Sequence, residues 1–397
     1  MNASLIEPST HLRDRCAIAG TATSKLGKVP GVSAIGLLEE AINGALDDAG
    51  LTTSDVDGLL VRGPDEIYTF HQVVGERLGI DASFSTTLTN GGASQVMGVA
   101  LAAMAIDAGL ASCIVVGYGR DNWSRVHATK ESHLLSSGRP QQMYGVEFGP
   151  EIGYYGAIAA HAFGATRHMH EYGTTRDQFG AISVAFREHA LRNPDAVMKK
   201  PLTLEDYHAG RMIVAPFGLF DCSLQTDAAG AVVVVSAERA KDLRQRPVLI
   251  KGFGTHNNLS GWQNNDNLTH TGAIAAGRTA YAMAGLGPED MDFAQIYDCF
   301  TYMVLVQLED YGFCKKGEGG EFVASGALRL HGAMPTNTSG GQLSEAHVEG
   351  MLQIVEGVRQ LQGKYGPDRQ VPDAEIGLIS GHGGNTVCES TLILGSA

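Results

Sequence analysis

The sequence predicts an α/β protein built from two similar halves, and three observations carry that expectation. Residues 46–61, LDDAGLTTSDVDGLLV, and 281–296, YAMAGLGPEDMDFAQI, share one pattern: a helix end, Ala-Gly-Leu, a turn with an acidic residue, then Asp and an apolar strand. A second pair follows in the same order. LTNGGASQVMGVALAAMAIDAG (88–109) leads into SCIVVGYG (112–119), as NTSGGQLSEAHVEGMLQIVEGVRQLQG (337–363) leads into EIGLISGHGG (375–384). Composition agrees, since 44 % hydrophobic and 18 % charged residues, with 51 glycines scattered through turns such as GGAS and GHGGN, suit a globular α/β chain and not a disordered one.

Taken in order, each half reads strand, helix, turn, strand, Gly-Gly turn, buried helix, strand. Such alternation predicts mostly parallel sheets covered by helices. The helices after NGGAS and SGGQL read as apolar on nearly all faces, which predicts that they lie sandwiched between sheets. An insertion at about 120–215, containing RDNWSRVHATKESHLLSSGRPQQMYG and QFGAISVAFREHALRNPDA, interrupts the first copy. Rich in His, Arg, Tyr and Met, it suits a loop domain laid over the active face. The strand-like AAGAVVVVSAERA (228–240) closes the first half, and a boundary at 243–248 divides the chain into halves 1–245 and 246–397.

Several classes of function are excluded at this level. A formal net charge of −14 argues against nucleic acid, whose binding draws affinity from Lys and Arg on phosphates. The N-terminus lacks a long apolar stretch and no run long enough to span a bilayer occurs, so a cytoplasmic protein without membrane association is expected. Six cysteines without a CxxC pair predict reduced, buried thiols, with no disulfide framework and no zinc site.

The turn TNGG at 89–92 opens into the buried helix of the first copy, where backbone N–H groups at a helix start favour developing negative charge. An enzyme would display a nucleophile here, and none is present. This stretch, with YDCFT (297–301), NTSGGQLSEAHVEG (337–350) and SGHGGN (380–385), resembles the thiolase superfamily over nearly the whole chain. More narrowly, it resembles the lipid-transfer-protein-like branch related to the thiolase domain of sterol-carrier-protein-X. The resemblance implies a five-layer αβαβα core, dimerisation and an acyl-CoA substrate under a loop domain. It also puts Gly92, or failing that Gly91, where a thiolase carries its acylated cysteine. Glycine cannot take an acyl group, so covalent catalysis is removed. What remains suits retro-aldol cleavage of a 3-hydroxyacyl-CoA, a reaction of steroid side-chain-cleaving aldolases in this branch, which pair with a DUF35 protein (OB-fold plus zinc ribbon). No covalently bound cofactor is implied, and zinc only in that partner.

The resemblance also nominates residues. Tyr297 occupies the position of a catalytic tyrosine in the steroid aldolases and is assigned as acid/base on the 3-hydroxyl, with Asp298 either orienting it or capping the next helix. His347 matches the histidine that donates to the thioester oxygen in thiolases, where the best-known aldolases carry a second tyrosine. His382 lies where thiolases have a second catalytic cysteine, and the flanking Gly383 and Gly384, like Gly91 and Gly92, are expected to bring backbone donors to the ligand. Cys299 and Cys388 read as packing thiols, and Arg125, Lys130, Arg139, Arg167 and Arg176 are candidates for the CoA phosphates. Two alternatives stand beside the aldolase: an acyltransferase using another thiol, and a non-catalytic scaffold that binds acyl-CoA or lipid.

Overall fold

The computed structural model describes residues 8–64, 67–129, 154, 156–257, 259, 264–384 and 387–397. The first half runs β1 (Cys16–Thr23), α1 (Ala34–Ala49), β2 (Gly58–Arg62), α2 (Phe70–Leu78), β3 (Phe84–Thr87), α3 (Ser94–Asp107) and β4 (Cys113–Asp121). An excursion follows, with α4 (Asn122–Thr129), α5 (Gly156–Tyr172), α6 (Arg176–Arg192), α7 (Leu204–Ala209) and a small hairpin of β5 (Met212–Val214) and β6 (Phe217–Gly218). It returns to β7 (Asp227–Ser236) and the short α8 (Ala237–Ala240). The second half runs β8 (Val248–Asn257), α9 (Ala273–Ala284), β9 (Phe293–Gln295), α10 (Thr301–Asp310), α11 (Gly319–Ala324), α12 (Gly341–Ser344), α13 (Met351–Leu361), β10 (Ile376–Gly383) and β11 (Cys388–Ser396).

Local chemistry explains why the same unit appears twice. Helix α1 starts at Ser33, whose hydroxyl accepts from the Gly36 N–H at 3.3 Å, and ends at Gly50, left-handed at φ 77°. Its copy α9 ends at Gly285 with φ 66°. Each glycine leads through a single 3-10 turn, Thr53–Asp55 or Pro288–Asp290, into the next strand, β2 or β9. The sheet order β3-β2-β4-β7-β1-β8-β11-β10-β9 shows the duplication directly, because β2-β4-β7-β1 and β9-β10-β11-β8 are the same succession met from opposite ends. Among the described residues, the strand pairs Ala17 with Leu249 and Ile18 with Val248, continued by the Asp14 N–H bond to the Ile250 carbonyl, join the two half-sheets.

Helices α3 and α13 each pack against strands of both half-sheets, while α1 covers β1, β4 and β7 and α9 covers β8 and β11. Layers therefore alternate helix, sheet, helix, sheet, helix. Strand β7 is buried from Asp227 to Val235, as a central strand read by its unbroken apolar run should be.

Three expectations change. The sheets are mixed and not mostly parallel: β2 pairs in parallel with β3 and β4, and β9 with β10, whereas β7 and β11 pair antiparallel on both sides. A short reversal suffices to bring β11 back beside β10, whereas a parallel return needs a crossover. The excursion from β4 ends at Thr226 and not near 215, because β7 is the antiparallel partner it must reach. Helix α13 buries polar Gln353, Glu356 and Gln360 along its length, where α3 buries polar Ser94 and Gln95 at its start. Among the described residues no helix is long and apolar enough to cross a membrane.

Candidate active site

Four strands that read in parallel pairs end in one place: β2 at Arg62, β4 just past Arg120, β9 just before Tyr297 and β10 beside His382. Ligands of open α/β sheets collect at such carboxyl ends. Tyr297 is fixed by its backbone: its N–H donates to Ser380 Oγ at 2.8 Å and its carbonyl accepts from Gln307 Nε2 at 2.9 Å. Ser380 in turn donates to Gln307 Oε1 at 2.7 Å, so strand end and helix α10 are clamped together.

The Tyr297 ring explains the missing nucleophile. A Cβ at position 92 would lie 2.3 Å from Tyr297 Cε2, 2.4 Å from its Cζ and 2.4 Å from the His382 carbonyl oxygen. No side chain fits there while the ring holds its place. Gly350 lines the same ring, where a Cβ would lie 3.1 Å from Cδ2. The turn Gly91–Ala93 is 3-10, with Gly91 at φ 57°, and the Asn90 N–H is taken by Ser94 Oγ at 2.8 Å. Burial, reinforced by Glu349, Cys299 and Tyr118 and opposed by Arg120, holds the Tyr297 phenol well above its usual 10. Tyr297 therefore begins as a phenol, a proton donor.

In the second copy the helix after the Gly-Gly turn stops at Ser344, and residues 345–350 leave the helical path before α13 begins. Asp298 holds this break. Its carboxylate accepts from the N–H groups of Gln342 (3.0 Å) and Leu343 (3.1 Å) and from Gln353 Nε2 (2.9 Å). Burial pushes its carboxyl up to about 6, against those hydrogen bonds. Of the two roles expected for Asp298, its bonds match capping, though of α12 and not of α10, the next helix in the chain.

The break carries His347 and Glu349. His347 Nδ1 lies 3.2 Å from the Leu224 carbonyl and 3.3 Å from Ser223 Oγ, and its backbone N–H donates to Thr226 Oγ1 at 2.9 Å. A carbonyl only accepts, so Nδ1 carries the proton and Nε2 of the neutral ring is a base. Donation to a thioester oxygen, the role expected for His347, then requires the imidazolium. Glu349 accepts from Arg62 Nε at 2.8 Å and from Arg120 Nη1 at 2.7 Å. Burial alone would raise its carboxyl, but Arg62, Arg120 and His347 hold it at about 2. Two arginines from the ends of β2 and β4 thus lock the segment that bears His347.

His382 is a strand residue, 2 % exposed, and not a loop or solvated turn residue. Its partners fix the tautomers of a buried chain. His161 Nδ1 faces the Ala157 carbonyl at 2.6 Å and must donate, so its Nε2 accepts from His382 Nε2 at 3.0 Å. His382 Nδ1 then accepts from Glu389 Oε1 at 2.5 Å, which makes Glu389 a neutral carboxylic acid. Burial lowers both imidazoles to about 3, aided at His161 by the charge of His382, and raises the Glu389 carboxyl well above its usual range. Gly383 and Gly384 press against the Gly91–Gly92 turn, backbone on backbone: a Cβ on Gly383 would lie 2.3 Å from the Asn90 carbonyl oxygen.

Residues 254–396 match the family model of the thiolase C-terminal domain-like fold. The chain is 38 % identical over 361 residues to the 17-hydroxy-3-oxo-4-pregnene-20-carboxyl-CoA lyase of Mycobacterium tuberculosis (strain H37Rv), covering 89 % of this chain and 92 % of that one. It is 36 % identical over 392 residues to the steroid side-chain-cleaving aldolase of Thermomonospora curvata, covering 96 % and 97 %. The chain belongs to the thiolase superfamily. Among solved structures, the Ltp2-ChsH2(DUF35) aldolase superposes with a TM-score of 0.85 at 35 % identity, covering 97 % of this chain and 98 % of that one.

Against that family, the structure brings Tyr297, His382, Gly91, Gly92, Gly383 and Gly384 together and sets His347 on the neighbouring break. Cys388 sits on β11, away from water enough that burial raises its thiol, and burial raises the Cys299 thiol further. Of the phosphate candidates, Arg167 is ion-paired with Glu171 and Arg176 lies over the Tyr207 ring at 5.2 Å. Lys130 and Arg139 lie outside the described residues, as do residues 130–153 and 155 of the expected loop domain as a whole. Sequence reasoning missed Arg62, Arg120, Glu349, Glu389 and His161. Two apolar strands that each end in arginine, LLVR and GYGR, were the available signal for the first two.

Proposed function

We propose that this member of the thiolase superfamily is a cysteine-free aldolase that cleaves a 3-hydroxyacyl-CoA, of steroid or similar side-chain type, to a ketone or aldehyde and a shorter acyl-CoA. The observation that supports it is the Tyr297 ring in the space of the lost thiol. An acyl-enzyme at position 92 has no room to form, and a phenol stands where it would have been.

Retro-aldol cleavage moves one proton, from the 3-hydroxyl to Cα, and needs no redox partner. His347 Nε2 takes the hydroxyl proton, the O–H pair becomes the new carbonyl bond, and the Cα–Cβ pair becomes the thioester enolate. Tyr297, kept protonated by burial, delivers a proton to Cα and recovers one from the His347 imidazolium. This moves the base on the 3-hydroxyl from Tyr297, where it was first expected, to His347, and makes Tyr297 the donor to Cα, for the reason that a buried phenol is a poor base. The thioester enolate forms beside Tyr297 and His347, and the Gly91–Gly92 turn packed on Gly383 and Gly384 walls that space without leaving room for an oxygen between them.

Likeness to the Ltp2-ChsH2(DUF35) aldolase supports a DUF35 partner, and a homodimeric core is the assembly we assign. The test is co-expression with a DUF35 protein and product analysis over a panel of 3-hydroxyacyl-CoA esters. Paired release of a carbonyl compound and a shortened acyl-CoA is expected. Binding of the esters without cleavage by the assembled complex would return the chain to the scaffold reading.

A further inference from the structure

His161 on α5, Cys299 after β9 and His382 on β10 are scattered along the chain, so no spacing announces them, and the lack of a CxxC pair suggests no metal. In space, one ligand atom of each lies within 4.8 Å of the others. His161 Nε2 is 3.0 Å from His382 Nε2 and 3.7 Å from Cys299 Sγ. A tetrahedral zinc with bonds of about 2.1 Å to nitrogen and about 2.3 Å to sulfur has N–N edges near 3.4 Å and N–S edges near 3.6 Å. Those two edges fit with small side-chain shifts, and the third, from His382 to Cys299, spans no more than 4.8 Å and must close toward about 3.6 Å on binding.

The surroundings fit as well. A histidine that binds metal through one nitrogen has the other held by a carboxylate or a carbonyl. His382 Nδ1 meets Glu389, and His161 Nδ1 meets the Ala157 carbonyl. Thiolate and carboxylate together balance a dication. We propose that His161, Cys299 and His382 form a binding site for a zinc-class divalent ion, with a fourth position open and Glu389 as the outer partner of His382. Three protein ligands and an open position is the pattern of reactive rather than purely structural zinc sites. On binding, the thiol proton and one proton shared by Glu389 and His382 leave to solvent, so one dication enters for two protons. The site adjoins Tyr297, whose ring centroid is 5.6 Å from that of His382. Its existence does not depend on the aldolase reading.

The test is Co2+ titration of the full chain after chelator treatment, followed by Zn2+ competition. Expected are one equivalent of Co2+ per chain, a thiolate-to-cobalt band in the near ultraviolet, tetrahedral d–d bands and displacement by Zn2+. Cys299→Ser removes the near-ultraviolet band, and His161→Gln weakens binding at least tenfold. The wild-type titration decides even if a variant folds poorly: no one-equivalent uptake overturns the site. So does a thiolate band that survives Cys299→Ser. In a complex with a zinc-bearing partner, the loss of one bound metal between wild type and Cys299→Ser is the expected reading, and no loss overturns it.

Discussion

The two Gly-Gly turns come from equivalent places in the two halves and do opposite things. In the first copy the chain passes from Gly91–Gly92 into α3 without a break, and the turn contributes the space that the Tyr297 ring fills. In the second, it passes from Gly340–Gly341 through four helical residues, breaks, and resumes at Met351, and the break contributes side chains. One copy supplies room and the other supplies chemistry. The difference shows how a duplicated fold becomes an asymmetric site: α3 is mostly apolar and mostly buried, whereas α13 keeps Gln353 for Asp298 and so anchors the broken segment.

That contrast can be attacked from either side. The largest effect is expected for Tyr297→Phe, which fills the first copy's space as before but removes the proton donor. Turnover should fall about 10²- to 10⁴-fold with thermal stability nearly unchanged, as steady-state rates and a melting curve would show. Next is Glu349→Gln, which leaves Arg62 and Arg120 without a buried carboxylate and should cost about 3–5 kcal/mol in denaturant unfolding. The same carboxylate has a pH signature. Its folded value, about 2, is depressed from 4.5, so its stabilisation of about 3 kcal/mol is complete above the unfolded value and is lost as pH falls through about 2. Filling the first copy instead, by Gly92→Ala, should cost about 1–3 kcal/mol or more through overpacking, and Gly92→Cys should fold no better and gain no acyltransferase activity. The smallest effect belongs to Asp298→Asn, a lost cap worth about 1 kcal/mol with a modest change in rate, since Asp298 acts on the helix and not on substrate.

Much of this was legible beforehand for reasons that are physical. Repeated helix ends, left-handed glycines and apolar strands are local signals, so the duplicated unit and its buried helices follow from the chain itself. Tyr297, His347 and His382 were reached through resemblance. Direction of pairing was not local: β7 and β11 turn antiparallel because of how the chain returns to the sheet, which no alternation of apolar residues encodes. Charged partners were hidden for a similar reason. Glu349 finds Arg62 287 residues away and Arg120 229 residues away, and Glu389 meets His382 only because the β10–β11 hairpin sets them opposite each other. The break at 345–350 was hidden too, since SEAHVEG reads as plain helix until Asp298 and the left-handed Glu349 and Gly350 are seen to interrupt it.

The central claim is that Tyr297 has replaced covalent catalysis. Its most direct test is intact-protein mass spectrometry of the chain, co-expressed with a DUF35 protein, after mixing with a 3-hydroxyacyl-CoA in D2O. The expected result is an unmodified protein mass while one deuterium appears at Cα of the released acyl-CoA. An acyl group retained on the chain, mapped to Cys299, Cys388 or any other thiol, would contradict it.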